Sequence, residues 1–139
     1  MTLKKFIAML LSALLFSAQP VYAMESAPRE WDGKKVPKIS LIVKKDMMAG
    51  YNVQIRTSNF KWAPNHASLT HIAGEGHAHI YVDGIKIGRV YGQWYHLNIA
   101  PLGLKAGKHI VLVNLNGNDH KPYAVKGKAL EAISTITTE

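Results

Sequence analysis

Apolar and polar residues alternate along most of the chain after position 37, the period of a half-buried β-strand and not of an amphipathic helix. Ile39-Ser-Leu-Ile-Val43 reads as one strand and Tyr51-Asn-Val-Gln-Ile-Arg-Thr57 as a second, with a turn from Asp46 to Gly50 between them. Asn59-Phe60-Lys61-Trp62 continues the pattern briefly, and the stretch from Ala63 to Gly76 has no firm period. Asp83-Gly84 then lies between two alternating runs, the pair favoured by a type I′ hairpin turn because both residues need positive φ. A plain two-residue turn pairs Val82 with Ile85, Tyr81 with Lys86, Ile80 with Ile87 and His79 with Gly88. Ala78, Ile80, Val82, Ile85 and Ile87 are then the apolar side, and His79 faces a residue with no side chain, which leaves room for a ligand.

Trp94 to Ile99, Lys108 to Leu115 and Ala129 to Thr138 supply further strands, separated by turn-forming stretches at Pro101 to Gly107 and Asn116 to Pro122. About seven short strands with this spacing predict an all-β fold, an antiparallel immunoglobulin-like β-sandwich over residues 38–139. A polar, extended leader is expected over residues 24–37.

The N-terminus changes the picture of where the domain works. Lys4 and Lys5 precede an apolar run from Phe6 to Phe16, and Val21-Tyr22-Ala23 places small residues at the −3 and −1 positions of a cleavage site. Residues 1–23 therefore read as a signal peptide cut after Ala23, and the remainder is expected in the periplasm or outside the cell. No later stretch is apolar for long enough to cross a bilayer as a helix, so no integral membrane segment is expected after cleavage.

Composition then narrows the chemistry. The chain has no cysteine, which excludes disulfides, thiolate metal sites and cysteine nucleophiles together. Its formal charge is +8, of which the signal peptide supplies Lys4 and Lys5, leaving +6 (8 − 2). The remaining basic residues are scattered through strands and turns without a block or stripe, so nucleic acid is not expected as a partner, whereas an anionic envelope surface or acidic partner is compatible.

The seven histidines carry the candidate chemistry. His77 and His79 alternate within one strand, so both rings project from the same face at roughly 6–7 Å spacing, a span that two imidazoles close around one ion. They are either exposed polar residues or ligands that converge on a metal. His120 sits in Asn118-Asp119-His120, a turn able to fix an imidazole's orientation. His96, among Trp94, Tyr95 and Leu97, and His109, in phase with Val111, Val113 and Leu115, are held as reserve ligands, although each also fits a structural role. For His109 that role is a ring at the core edge bonded back to the loop before its strand. His66 and His71 fall in the aperiodic stretch and have no assigned role. With imidazole as the donor and no thiolate, copper is the first expectation and zinc the alternative.

The series "GHAHIYVDG", "YGQWYHL" and "LKAGKHIVLVNLNGNDH" resembles a group of uncharacterised exported bacterial domains that share GHxH, GxH and NDH motifs on an immunoglobulin-like sandwich. The resemblance covers roughly residues 38–138 and implies fold and export more than activity. In general design the chain is also similar to CopC-like and cupredoxin-like periplasmic copper-binding proteins. It departs from both: the expected mature chain starts at Met24, where a CopC-like protein has histidine, and the cysteine of a blue copper site is missing.

The sequence thus points to a periplasmic metal-binding protein that is not an enzyme. The alternative is an interaction module of the cell envelope, with Tyr81, Tyr91, Trp94 and Tyr95 as an aromatic face for a protein partner. A copper-dependent redox enzyme ranks third, since neither a Ser-His-Asp set nor a carboxylate pair stands out.

Overall fold

A computed structural model describes residues 26–139. The expected signal peptide, residues 1–23, and with it the expected cleavage site after Ala23, lies outside the described residues.

Among the described residues eleven strands run in chain order: β1 (Arg29–Glu30), β2 (Lys38–Lys45), β3 (Tyr51–Ser58), β4 (Lys61–Trp62), β5 (Glu75–Val82), β6 (Ile85–Val90), β7 (Trp94–Leu97), β8 (Gly107–Asn116), β9 (Tyr123–Val125), β10 (Lys128–Ala129) and β11 (Glu131–Thr138). Short 3₁₀ turns at Pro64–His66 and Ala100–Leu102 are the only helical elements among the described residues, so the fold is all-β.

The strands form several sheets. One runs β11-β8-β5, with β6 antiparallel and the short β4 parallel to β5. A second is β2-β3-β7, and a third, small one is β1-β9-β10. Alternation decides what lies between the two larger sheets. Val53 and Ile55 of β3 meet Ala78, Ile80 and Val82 of β5 and Val111, Val113 and Leu115 of β8 in one core, all of them almost fully buried. Burying a valine, leucine or isoleucine side chain contributes about 1.5–3 kcal/mol, so this interior supplies stability without covalent cross-links.

The leader is built into the fold. β1 pairs in parallel with β9, and Trp31 packs edge-on against Tyr123 at 4.8 Å between ring centroids.

The hairpin differs from the plain pairing in one respect. Asp83 and Gly84 both take positive φ, 48° and 80°, as the type I′ turn requires. Beyond the first two pairs a β-bulge intervenes: Ile80 pairs with Gly88 and His79 with Arg89, so Ile87 is the extra residue. Gly88 does not open space above His79. A Cβ at this position would stand 3.2 Å from the Tyr95 hydroxyl of β7, and it is this ring that the glycine accommodates. Ile85 is largely exposed, while Ile87 packs against the core.

Candidate metal centre

Apolar alternation buries Ala78, Ile80 and Val82 between the sheets and turns Glu75, His77, His79 and Tyr81 to the other face of β5. That other face is not exposed. His77 and His79 have 0% and 1% of their surface accessible. On β8 their direct partners are Asn116 and Asn114, also buried, and Asn116 donates from Nδ2 to Asn114 Oδ1 at 2.7 Å.

Two local features bring β5 and the Asn116–Lys121 turn together. Gly76 lies so close to β8 that a Cβ would stand 1.9 Å from the Asn116 carbonyl oxygen, so only glycine fits immediately before His77. The turn is closed by Gly117 donating to Lys121 O at 2.9 Å and by His120 donating to Gly117 O at 3.0 Å. His120 itself has φ of 65°, a left-handed conformation uncommon for a residue other than glycine.

The result is a triangle of ring nitrogens. His77 Nε2 is 3.0 Å from His79 Nε2 and 3.0 Å from His120 Nδ1, and His79 Nε2 is 3.2 Å from His120 Nδ1. These three residues form a group whose donor atoms could hold a metal ion. Burial, then the neighbouring charges of His120, Arg89 and Lys86, pushes the His77 imidazole down to about 4. Burial, followed by Lys86, His77, His120 and Arg89, pushes His79 down to about 3. Both rings are therefore neutral at ordinary pH, the form in which imidazole ligates a metal.

The triangle also constrains the ion. Bonds of about 2.0–2.1 Å from each nitrogen give N–metal–N angles of about 91–106° for these separations. That is one face of a tetrahedron or octahedron. A square-planar Cu(II) ion would need one pair of donors about 4 Å apart, on opposite sides.

A second layer of contacts holds the third ligand. His120 Nε2 and Ser68 Oγ are hydrogen-bonded at 2.8 Å, and with Nε2–H as the donor the lone pair is on Nδ1, the atom that faces the other two rings. Ser68 is held in turn by its backbone N–H on the Asn118 carbonyl at 2.8 Å. Asn118, fully buried, donates from Nδ2 to Glu75 Oε1 at 3.1 Å, and the same carboxylate accepts from His66 Nδ1 at 2.5 Å and Lys61 Nζ at 2.8 Å. Burial raises the Glu75 pKa, but the bonds from Lys61, His66 and Asn118 outweigh it and hold the group at about 2. Two polar atoms of the centre are left over: His77 Nδ1 and Asn118 Oδ1 are buried with no hydrogen-bond partner.

The other histidines are placed elsewhere. His109, at the core edge, donates from Nδ1 to Asp83 Oδ2 at 2.6 Å and from Nε2 to Lys105 O at 2.8 Å. With both nitrogens donating, the Asp83 carboxylate first and the Lys105 carbonyl second raise its pKa, which favours the imidazolium over a ligand. The ring bolts the hairpin turn to the loop before β8, the structural role that its phase suggests. His96 is exposed, and its Nδ1 donates to Asn52 Oδ1 at 3.1 Å across β3 and β7. Neither joins the group of three. His66 serves Glu75, and His71 donates from Nε2 to Asp32 Oδ2 at 2.6 Å. Of the four aromatic residues, Tyr81 is buried and Tyr95 packs on the core, while Tyr91 and Trp94 are exposed.

Sequence pattern does not single out Ser68, Asn118 or Glu75. Ser68 and Glu75 lie in the aperiodic stretch and are positioned by long-range contacts, so no local signal marks them. Asn118 is visible only as a turn former.

No protein-family model matches the chain, and no curated protein or solved structure shows significant similarity to it.

Proposed function

We propose that this protein is a periplasmic, non-catalytic metal-binding protein on an immunoglobulin-like sandwich, with His77 Nε2, His79 Nε2 and His120 Nδ1 as the ligands. The observation that carries the reading is the convergence of three ring nitrogens, two buried and one half-buried, within 3.0–3.2 Å. Three neutral imidazoles this close cannot satisfy one another: a nitrogen that carries a proton serves one neighbour, and lone pairs left facing one another repel. A divalent cation satisfies all three at once.

An all-nitrogen donor set disfavours Mg²⁺ and Ca²⁺, which take oxygen ligands. It suits Cu, Zn and Ni, and among these the affinity order puts copper first. Zinc, the alternative, accepts a triangular face of donors without rearrangement, whereas copper(II) there is distorted from the square plane.

Equilibrium dialysis of the tag-free protein against Cu(II) and Zn(II), beside His120→Ala, tests the reading. One equivalent bound by the parent and at least a hundredfold weaker binding by the variant is the expected result. Equal uptake by the two proteins would remove these residues from the role.

A further inference from the structure

β1 grips the turn that carries the third ligand. Arg29 donates from Nη2 to Asp119 Oδ2 at 2.6 Å, and its backbone N–H donates to the Pro122 carbonyl at 2.7 Å. One residue therefore holds the chain immediately before His120 and again two positions after it. The Asp119 carboxylate is shared, since its Oδ1 accepts from the Lys121 backbone N–H at 3.4 Å, so the guanidinium and the backbone of the turn meet on one group. The ion pair is largely withdrawn from solvent, with 28% and 27% of the two side chains accessible, and a charge-assisted bond there is screened less than on an open surface.

The same short segment reaches the loop that carries Ser68. The Asp32 carboxylate is bonded to His71 Nε2 at 2.6 Å, three residues beyond Ser68. Loop and turn are joined to each other by the Ser68 N–H on the Asn118 carbonyl at 2.8 Å and by Asn118 Nδ2 on the Thr70 carbonyl at 3.4 Å. The segment is also fastened along its length. The Trp31 N–H donates to the Ala124 carbonyl at 2.8 Å, and the Glu30 carboxylate accepts from the backbone N–H groups of Lys126 and Gly127 at 2.9 and 2.6 Å.

Residues 29–32 are thus a strap across two pieces of chain, the turn that bears His120 and the loop that bears its outer partner. His77 and His79 are held by the ladders of β5 with β6 and β8, whereas His120 is on a turn. A donor set works only when its atoms are kept within about 0.5 Å of the productive geometry. The placement of the turn is therefore the part of the centre that needs support from outside the sheet.

We infer that Arg29 is a positioning residue for the metal centre and that docking of the strap and binding of the ion are coupled. This rests on the metal-binding reading above. The docked strap keeps the turn where His120 Nδ1 completes the triangle, and an ion on the three nitrogens fixes the turn to which Arg29 is bonded. By linkage, the factor by which the docked strap raises metal affinity is the factor by which metal favours the docked strap.

Equilibrium dialysis against Cu(II) and Zn(II), at a temperature where the apo proteins are fully folded, compares the parent with Arg29→Ala and Arg29→Lys. Arg29→Ala should bind the preferred ion about tenfold more weakly, the low end of the range for partners outside the ligand set. Arg29→Lys, which returns a charged N–H donor to Asp119, should recover most of that loss, which a general loosening of the fold would not predict. Hydrogen exchange of the parent needs no substitution and decides alone if Arg29→Ala fails to fold. With the ion bound, the amides of Arg29 and Trp31 should exchange about tenfold more slowly than in the apo protein. The Asp46 amide, bonded to the Gly50 carbonyl at 2.9 Å in the turn between β2 and β3, should be unchanged.

An Arg29→Ala protein that binds the ion as tightly as the parent, a loss that Arg29→Lys does not recover, or strap amides that slow no more than that of Asp46 overturns the inference and leaves the metal site standing. A parent that takes up neither ion overturns both readings.

Discussion

An imidazole buried on a sheet face is penalised whenever it is protonated, and at His77 and His79 that penalty gives the molecule a pH dependence of known sign. Their folded-state pKa values, about 4 and about 3, lie below the ordinary value near 6.5. As the pH falls through 6.5 the unfolded chain takes up protons at these residues before the folded chain does. Stability is therefore lost from about pH 6.5 downward, and this contribution levels off once the folded rings also protonate, near pH 3–4. His109 has the opposite sign, since its raised pKa stabilises the fold at low pH and that support is lost as the pH rises through the folded value. Urea midpoints of the apo protein between pH 7 and 4, compared with those of His79→Gln, separate the two. The variant's midpoint should fall less steeply with decreasing pH than the parent's, and identical slopes would contradict the burial argument.

The same contrast divides ligands from bolts. His109→Ala removes a ring bonded to Asp83, to the Lys105 carbonyl and to Thr138 Oγ1, so the apo melting temperature should drop by several degrees while metal affinity is retained. His79→Ala should abolish tight metal binding. Paired apo and metal-loaded melts of both variants check the division, and it fails if His109→Ala abolishes the metal-induced shift.

At the scale of elements, the centre depends on how β5, β8 and two loops are held together. Gly76→Ala would drive a methyl group into the Asn116 carbonyl, parting β5 from β8 next to the His77–Asn116 pair. We expect a loss of about 2–4 kcal/mol in urea unfolding together with weaker metal binding. Ser68→Ala is milder. It removes the hydrogen-bond partner of His120 Nε2 without touching the core, and outer partners of this kind are worth roughly 10–100-fold in metal affinity. Titration of Ser68→Ala should show that loss with little change in the apo melt.

The elements also show what is legible in the sequence. The alternation in β3, β5 and β8 identifies their core faces, and the Asp83-Gly84 turn is recognisable because its backbone demand falls on two adjacent residues. The bulge at Ile87 is not, since one extra residue in a strand leaves hydrophobic alternation nearly intact while shifting every later pair. The parallel pairings β1–β9 and β4–β5 each involve a two-residue strand, β1 or β4, too short to carry a period of its own.

For the whole molecule, the placing of His77 and His79 on one face follows from strand period alone, but their burial does not. It depends on the residue 64–71 stretch and the Asn116–Lys121 turn reaching the outer face of the sheet, contacts that span 43 residues between His77 and His120 and 52 between Ser68 and His120. His120 stands out in the sequence for its turn, and its partnership with the strand pair emerges only from the closed fold. His96 and His109 are equally plausible by composition, and it is their neighbours, Asn52 and Asp83, that occupy them.

An ion held only by the folded centre must stabilise the whole fold, by about 2.7 kcal/mol when free metal is a hundred times its Kd. The most direct test is a thermal melt of the protein with and without stoichiometric Cu(II) and Zn(II), run beside His120→Ala. The account predicts a rise in Tm for the parent with at least one of the two ions and none for the variant. A parent whose melt neither ion moves, or a variant that rises as far as the parent, would contradict it.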